Sequence, residues 1–286
     1  MRRLLLYGAL AIFKITPFCL LYLLSDGLYF VLYYLVRLRR KIVRANLSFV
    51  FPSFSHEKLI SIEKKSYRNL CDVILETFKG YTLSPKAMAK RYIITNPEML
   101  NRYLDQGRSL VGFAGHMNNW EWGTSLQQHL THKAVYVYKR IHNRTIDDFA
   151  RRQRERYGAE LVYKEQISRF LIKHRRTPCF YVLIADQRPS NDQEKREVQF
   201  FNRKITCFAG PELIAKTFNF PVVYCKIERV ARGFYQATGI LITENPKDTA
   251  DGEISQHCMS LLQKQIEETP ENWMWLHKRF KNKDCV

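Results

Sequence analysis

From Leu4 to Val36 the chain is dominated by apolar and aromatic residues, interrupted by Lys14, Pro17 and Asp26. Arg2 and Arg3 precede this stretch, and "RLRRKIVR" (37–44) follows it. A secretory signal would have a shorter apolar core and a small-residue cleavage site, so the segment is expected to be retained. The interruptions make a tilted, kinked or half-inserted anchor as compatible with the pattern as a spanning helix. A pair of buried core helices is the competing reading. Basic flanks and tyrosines recurring through the second half favour a bilayer interface. Residues 1–45 therefore read as a membrane anchor with a basic flank, and 46–286 as one domain.

Beyond Ser55 the periodicity changes. Leu59, Ile62, Leu70, Val73, Ile74 and Phe78 recur at near-helical spacing, and Gly80 closes the helix. Then come short β-branched or apolar runs: "YIIT" (92–95), "SLVGFA" (109–114), "AVYVY" (134–138), "CFYVLIA" (179–185), "PVVYCKI" (221–227) and "YQATGILIT" (235–243). Amphipathic segments near 97–105, 118–130, 143–157, 165–175, 210–218 and 249–268 alternate with them. Alternation of strand and helix predicts an α/β domain around a largely parallel sheet. The polar stretch "DQRPSNDQEKREVQ" (186–199) is the longest predicted loop, and a loop after a buried strand is a place for binding residues.

Composition narrows the partners. Among 286 residues, 46 Lys and Arg stand against 27 Asp and Glu, a net charge of +19. Such a balance suits nucleic acid, phospholipid headgroups, phosphorylated substrates or an acidic carrier protein. Nucleic acid is disfavoured, because the basic residues are dispersed and an apolar N-terminus has no purpose there. Cys19, Cys71, Cys179, Cys207, Cys225, Cys258 and Cys285 are scattered without metal-type spacing, which points to reduced thiols in a cytosol-facing domain. Neither GxGxxG nor a Walker loop occurs, so no cofactor is expected, and no metal.

Chemistry concentrates in "GFAGHMNNWEWG" (112–123). His116 follows a predicted buried strand, at the strand end where open α/β sheets place ligand crevices. If the turn brings Glu121 back, its carboxylate can accept the Nδ1 proton of His116 and leave Nε2 as a general base. No nucleophile accompanies the pair. GxSxG is absent and Ser125 lies beyond the helix start, so the attacking group would be a hydroxyl of the substrate. A histidine and glutamate that merely cap the helix and bond each other fit the spacing too. HExxH is absent, which leaves a metal reading weaker still.

"GHMNNWE" resembles the H-x-x-x-x-[DE] motif of glycerolipid-type acyltransferases, and other blocks extend the likeness. "LYLLSDGLYFVLYYLVRLRRKIVRANLSFVFPSFS", "YKRIHNRTID", "RERYGAE", "IADQRP", "FFNRKITCFAGPELIAKTFNFPVVY" and "PENWMWLHKRFK" follow in order. Together they are similar to the late lipid A biosynthesis acyltransferase family, of the lauroyl and myristoyl transferase type. Where that family commonly has Gly-Tyr-Arg before its basic cluster, this chain has Arg37, Leu38 and Arg39.

The resemblance implies a glycerolipid-acyltransferase-like mixed, largely parallel sheet flanked by helices, with 46–286 as the acyltransferase domain. It implies acyl transfer from a carrier-protein thioester, or from acyl-coenzyme A, to a hydroxyl of a lipid A precursor, at the cytoplasmic face of a bacterial inner membrane. His116 would be the base and Glu121 its orienting partner. Arg154 would stabilise the oxyanion, with Arg151 as second choice, and Asp186 would buttress the site by pairing with an arginine. From charge and position, Arg140 is a candidate for substrate phosphate, and Arg188 and Arg203 for the carrier protein. Trp273, Trp275, His277 and Arg279 read as packing, as do Trp120 and Trp122. An O-acyltransferase acting on a lysophospholipid or aminolipid is the nearest alternative, and a lipid esterase a further one.

Overall fold

A computed structural model describes residues 2–190 and 193–280; Cys285 and the last residues of the 46–286 unit lie outside the described residues. Helix α1 (Arg2–Ile15) stops before Pro17, where α2 (Phe18–Phe30) begins and runs on as a π-helical turn, Val31–Leu35. Then come α3 (Arg40–Val50), the long α4 (His56–Gly80), α5 (Pro85–Ala89), β1 (Tyr92–Ile94), α6 (Pro97–Asp105) and β2 (Leu110–Ala114). A 3₁₀ helix, Trp120–His129, precedes β3 (Lys133–Tyr138), α7 (Arg144–Glu155), β4 (Glu160–Tyr163), α8 (Ile167–Lys173) and β5 (Cys179–Ile184). The remainder is β6 (Lys195–Phe200), β7 (Arg203–Phe208), α9 (Gly210–Phe218), β8 (Val222–Ala231), β9 (Phe234–Thr243), α10 (Glu253–Glu268) and a turn at Pro270–Asn272.

The sheet order is β1-β9-β8-β2-β5-β3-β4, with β6 and β7 as a separate hairpin. Strands β8, β2, β5, β3 and β4 are parallel, β9 is antiparallel to β8, and β1 runs with β9. Strand β2 sits near the middle and every one of its residues is buried, as an unbroken apolar run in a covered parallel sheet requires. The six strands and the α4 helix read from the sequence are all present. Three differences have physical causes. The expected helix over 118–130 is 3₁₀, starting at Trp120 after Asn118 takes a left-handed conformation (φ 53°). Strand β4 is only four residues, too short for a periodicity to register. The β6–β7 hairpin begins inside the expected 186–199 loop; its turn uses Phe201 and Asn202 at positive φ, 51° and 58°, without the glycine that announces such turns.

Helix α4 ties the N-terminal segment to the sheet. It is capped by Ser55, whose side chain accepts the Lys58 N–H, and it carries three buried acids. Glu63 takes Arg40 at 3.1 Å and Arg44 at 2.8 Å from α3. Asp72 accepts from Ser25 of α2 (2.7 Å) and from Arg229 and Arg232 of the β8–β9 hairpin (2.6 Å each). Glu76 accepts from Tyr22 (3.0 Å), Asn119 (2.8 Å) and Tyr235 (2.7 Å). At the helix end Lys79 donates to the carbonyls of Phe13, Lys14 and Thr16, the unpaired acceptors where α1 stops. A buried carboxylate is tolerated only with such partners, so α2 and α3 are held by charge as well as by Leu21, Tyr33, Val43 and Leu47.

The other face of the same segment is apolar and bare. Ile12, Ile15, Leu20, Leu23, Leu24, Phe30, Leu35 and Val36 are exposed. Phe18–Leu35 is long and apolar enough to cross a bilayer, with mean hydropathy 1.6. Helix α3 runs across the expected 45/46 boundary.

Removing one partner of a buried ion cluster strands the other charge. Asp72→Ala leaves Arg229, only 18% exposed, without its carboxylate partner. We expect a loss of about 3 kcal/mol, read by denaturant unfolding in mild detergent, together with faster proteolysis between α2 and α3. An unchanged midpoint would mean that the cluster does not hold the N-terminal segment.

Candidate active site

Parallel pairing of β2 with β5 places Ala114 opposite Ile184, so the residues two positions beyond each strand, His116 and Asp186, meet at the carboxyl edge of the sheet. Gly115 makes the turn possible, since a Cβ there would lie 2.8 Å from Leu262 of α10. The Nδ1 atom of His116 is 2.6 Å from Asp186 Oδ1, and the His116 main-chain N–H donates to Oδ2 at 3.0 Å. The Trp273 indole N–H donates to the same Oδ2 at 2.8 Å. Burial alone would raise the Asp186 pKa, but His116 beside it and these donated hydrogen bonds hold it down at about 2. The carboxylate is therefore ionised at neutral pH and keeps the proton on Nδ1. Nε2 carries the lone pair, and the Gln187 amide nitrogen stands 3.3 Å from it, a donor that this tautomer satisfies.

The loop holding His116 is clamped from the C-terminal side. Met117 forms an antiparallel bridge with Trp273, Met274 N–H donates to the His116 carbonyl (3.1 Å), and Asn118 N–H donates to that of Asn272 (2.8 Å). Asn118 reaches the Ile227 carbonyl through its amide (2.6 Å). Asn119 caps the 3₁₀ helix by accepting from Trp122 N–H and donates to Glu76. The two asparagines of "GHMNNWE" thus set the path of the chain between His116 and Glu121.

Glu121 points elsewhere than the sequence reading expected. Its carboxylate pairs with Arg154 of α7, with Nε at 3.0 Å and Nη2 at 2.8 Å from both oxygens. It lies in the first turn of the 3₁₀ helix, facing α7, while the sheet register has already delivered Asp186 to His116. The expected arginine partner of Asp186 is likewise replaced, by His116 and Trp273. Burial would lower the Arg154 pKa, but Glu121 raises it, and the guanidinium keeps its charge. Trp120 packs edge-on against His116, with ring centroids 5.2 Å apart.

The other candidates are distributed more widely. Arg151 pairs with Glu155 within α7 at 3.0 Å. Arg140 is exposed just past β3, at the same sheet edge as His116, with its guanidinium 4.1 Å over Tyr163. Arg188 is half-buried two residues beyond Asp186. Arg203 opens β7 on the hairpin, 5.1 Å over Phe49 of α3. Trp273, expected to serve packing alone, touches the central carboxylate. Its sequence signal was a tryptophan-rich terminal segment with no periodicity. Among the described residues no group of three or more His, Cys, Asp and Glu side chains could hold a metal.

The family model for "Bacterial lipid A biosynthesis acyltransferase" matches residues 2–282. The chain belongs to this family. It is similar to the lipid A biosynthesis palmitoleoyltransferase of Escherichia coli (strain K12), at 18% identity over 247 residues, covering 86% of this chain and 79% of the relative. The lipid A biosynthesis acyltransferase of Shigella flexneri matches with the same identity and coverage. Membership makes this lipid A acyltransferase family protein an acyltransferase, with acyl transfer to a lipid A precursor as the family's reaction.

The Asp186 pKa sets a test of the geometry. Its folded value of about 2 lies below the ordinary 3.8, so its stabilising effect is complete above pH 3.8 and is lost as pH falls through about 2. The stability difference between wild type and Asp186→Asn, measured by denaturant titration, should be flat from pH 7 to about 4 and shrink below that. A difference that collapsed between pH 7 and 5 would mean that the carboxylate is not ionised beside His116.

Proposed function

We propose that the protein moves a fatty acyl chain from an acyl carrier protein thioester to a hydroxyl of a lipid A precursor, at the cytoplasmic face of a bacterial inner membrane, with His116 as general base. The observation that carries the mechanism is the Asp186–His116 contact at 2.6 Å, on a ring that is 17% exposed and has no protein nucleophile assigned to its Nε2. Nε2 takes the proton of the acceptor hydroxyl as its oxygen attacks the thioester carbonyl. The tetrahedral intermediate collapses with cleavage of the C–S bond, and the imidazolium returns its proton to the departing thiolate. Asp186 holds the ring and offsets the positive charge formed on it.

Arg154 is the donor assigned to the oxyanion. Its pairing with Glu121 through Nε and Nη2, with Tyr81 also against it, holds a charged guanidinium in a fixed position from which it can meet developing negative charge. Glu121 thereby acts on the reaction through Arg154, as a positioning residue. The net charge of +19 suits an acidic donor protein, and Arg140 and Arg188, both past the carboxyl ends of strands that lead to the site, suit the anionic groups of donor and acceptor. The bare apolar face of α1 and α2 suits insertion into one leaflet, with Arg37, Arg39 and Lys41 at the headgroups.

The decisive assay presents acyl carrier protein and acyl-coenzyme A donors with a lipid A precursor or a lysophospholipid in micelles. Transfer from carrier protein to the lipid A precursor is expected, and His116→Ala should lower it about 1,000-fold or more without unfolding the protein. Glu121→Gln should lower the maximal rate about 100-fold, as loss of an aligned oxyanion donor does. Near-normal turnover by folded His116→Ala, or preference for the lysophospholipid, would contradict the proposal.

Membrane attachment is checked separately. Hydrophobic insertion survives salt, whereas charge contacts are screened once the Debye length falls to about 3 Å at 1 M. The protein should stay in the membrane pellet through a salt wash and leave with detergent. Glutamate at Leu20, Leu23 and Leu24, all exposed, should release it in salt alone. Retention of that triple variant would contradict insertion through this face.

A further inference from the structure

Between α2, α4, the β8–β9 turn and the Pro270–Asn272 turn lies a cavity of about 920 Å³ that the chemistry above does not use. Four cations and three carboxylates, Asp26, Asp72 and Glu271, line it, and the cations are of two kinds. Arg229 and Arg232 are anchored by Asp72 at 2.6 Å, with Asp26 also holding Arg232 at 2.8 Å. Lys65 and Arg68, one turn apart on α4, are exposed and line the cavity outside the ion pairs seen among the described residues. Arg68 instead rests 5.0 Å from the centre of the Tyr29 ring. Two cations outside these ion pairs thus face one volume, with Glu271 across the same lining and a wall stiffened by two cations that are paired.

The rim decides what kind of anion fits. Phe30 and Tyr34 line the cavity and are themselves exposed, 55% and 42%, on the segment whose outer face is apolar. A water-soluble anion has no use for that rim, whereas a lipid places its charged group below and its chains against it. The third wall fixes the position relative to the reaction. Asn272 lines the cavity and its carbonyl accepts from Asn118 N–H at 2.8 Å, two residues beyond His116.

We propose that this cavity binds a phosphate group of the lipid acceptor, with Lys65 and Arg68 as its direct ligands, so that the acceptor is held by its charge while its hydroxyl reaches His116. This rests on the acyl-transfer reading above, and it names a subsite for it. Cation–phosphate contacts of this type are charge-assisted and discriminate strongly between a phosphate and a bare hydroxyl.

The test compares the acceptor KM of a phosphorylated lipid A precursor with that of its phosphatase-treated form, in micelles, for the wild type and for Lys65→Ala with Arg68→Ala. Both positions are exposed, so the double variant should fold. The wild type should prefer the phosphorylated acceptor, and the variant should lose about tenfold of that preference through KM, with kcat little moved. Equal preference in the two proteins would overturn the proposal. Full competition by about 1 mM inorganic phosphate would assign the site to a free anion and overturn it as well. Co-sedimentation with vesicles carrying the two lipids provides a reading independent of turnover. If neither protein transfers an acyl chain yet the wild type alone selects the phosphorylated vesicles, the subsite stands and the acyl-transfer reading falls; if neither selects them, the subsite falls.

Discussion

A carboxylate at 1% exposure survives only if donors surround it, and Asp186 is met by the main-chain N–H and imidazole of His116 and by the indole of Trp273, from a distant segment of the chain. The rest of the site follows from that constraint. Pairing of β2 with β5 brings the carboxylate to the histidine. The turn before Trp273 brings the third donor, and the same strand of contacts clamps the Met117–Asn118 loop against Asn272 and Met274. The histidine is thereby fixed in one tautomer by groups that lie 70 and more residues away along the chain.

A second constraint of the same kind runs through α4. Glu63, Asp72 and Glu76 are buried and each binds partners from the N-terminal segment, the β8–β9 hairpin or the 3₁₀ helix. Asn119 belongs to both systems, since it caps the helix that presents Glu121 and donates to Glu76, which Tyr22 of α2 also reaches. The apolar segment is therefore continuous with the scaffold of the site. Under the proposed insertion of that segment, this would couple its depth in the bilayer to the position of the chemistry.

The sequence was informative where structure is local. The unbroken apolar run of β2, the cap at Ser55 and the stop at Gly80 show the elements they form, and the spacing in "GHMNNWE" with its neighbouring blocks points to the family. It was least informative where partners are distant. Spacing alone linked His116 to Glu121, but which carboxylate reaches Nδ1 depends on strand register, and which arginine meets Glu121 depends on how α7 packs. Trp273 carried no local mark of its role for the same reason. The β6–β7 hairpin was hidden by a turn without glycine, and β4 by its brevity.

The tautomer of His116 tests the account most directly. Nitrogen-15 and proton NMR of protein labelled at histidine reports which ring nitrogen is protonated in the neutral imidazole. The expected result is a proton on Nδ1, shifted downfield by the Asp186 carboxylate, that is lost or moved in Asp186→Asn and unaffected in Glu121→Gln. A proton on Nε2, or an Nδ1 signal that follows Glu121 and ignores Asp186, would contradict it.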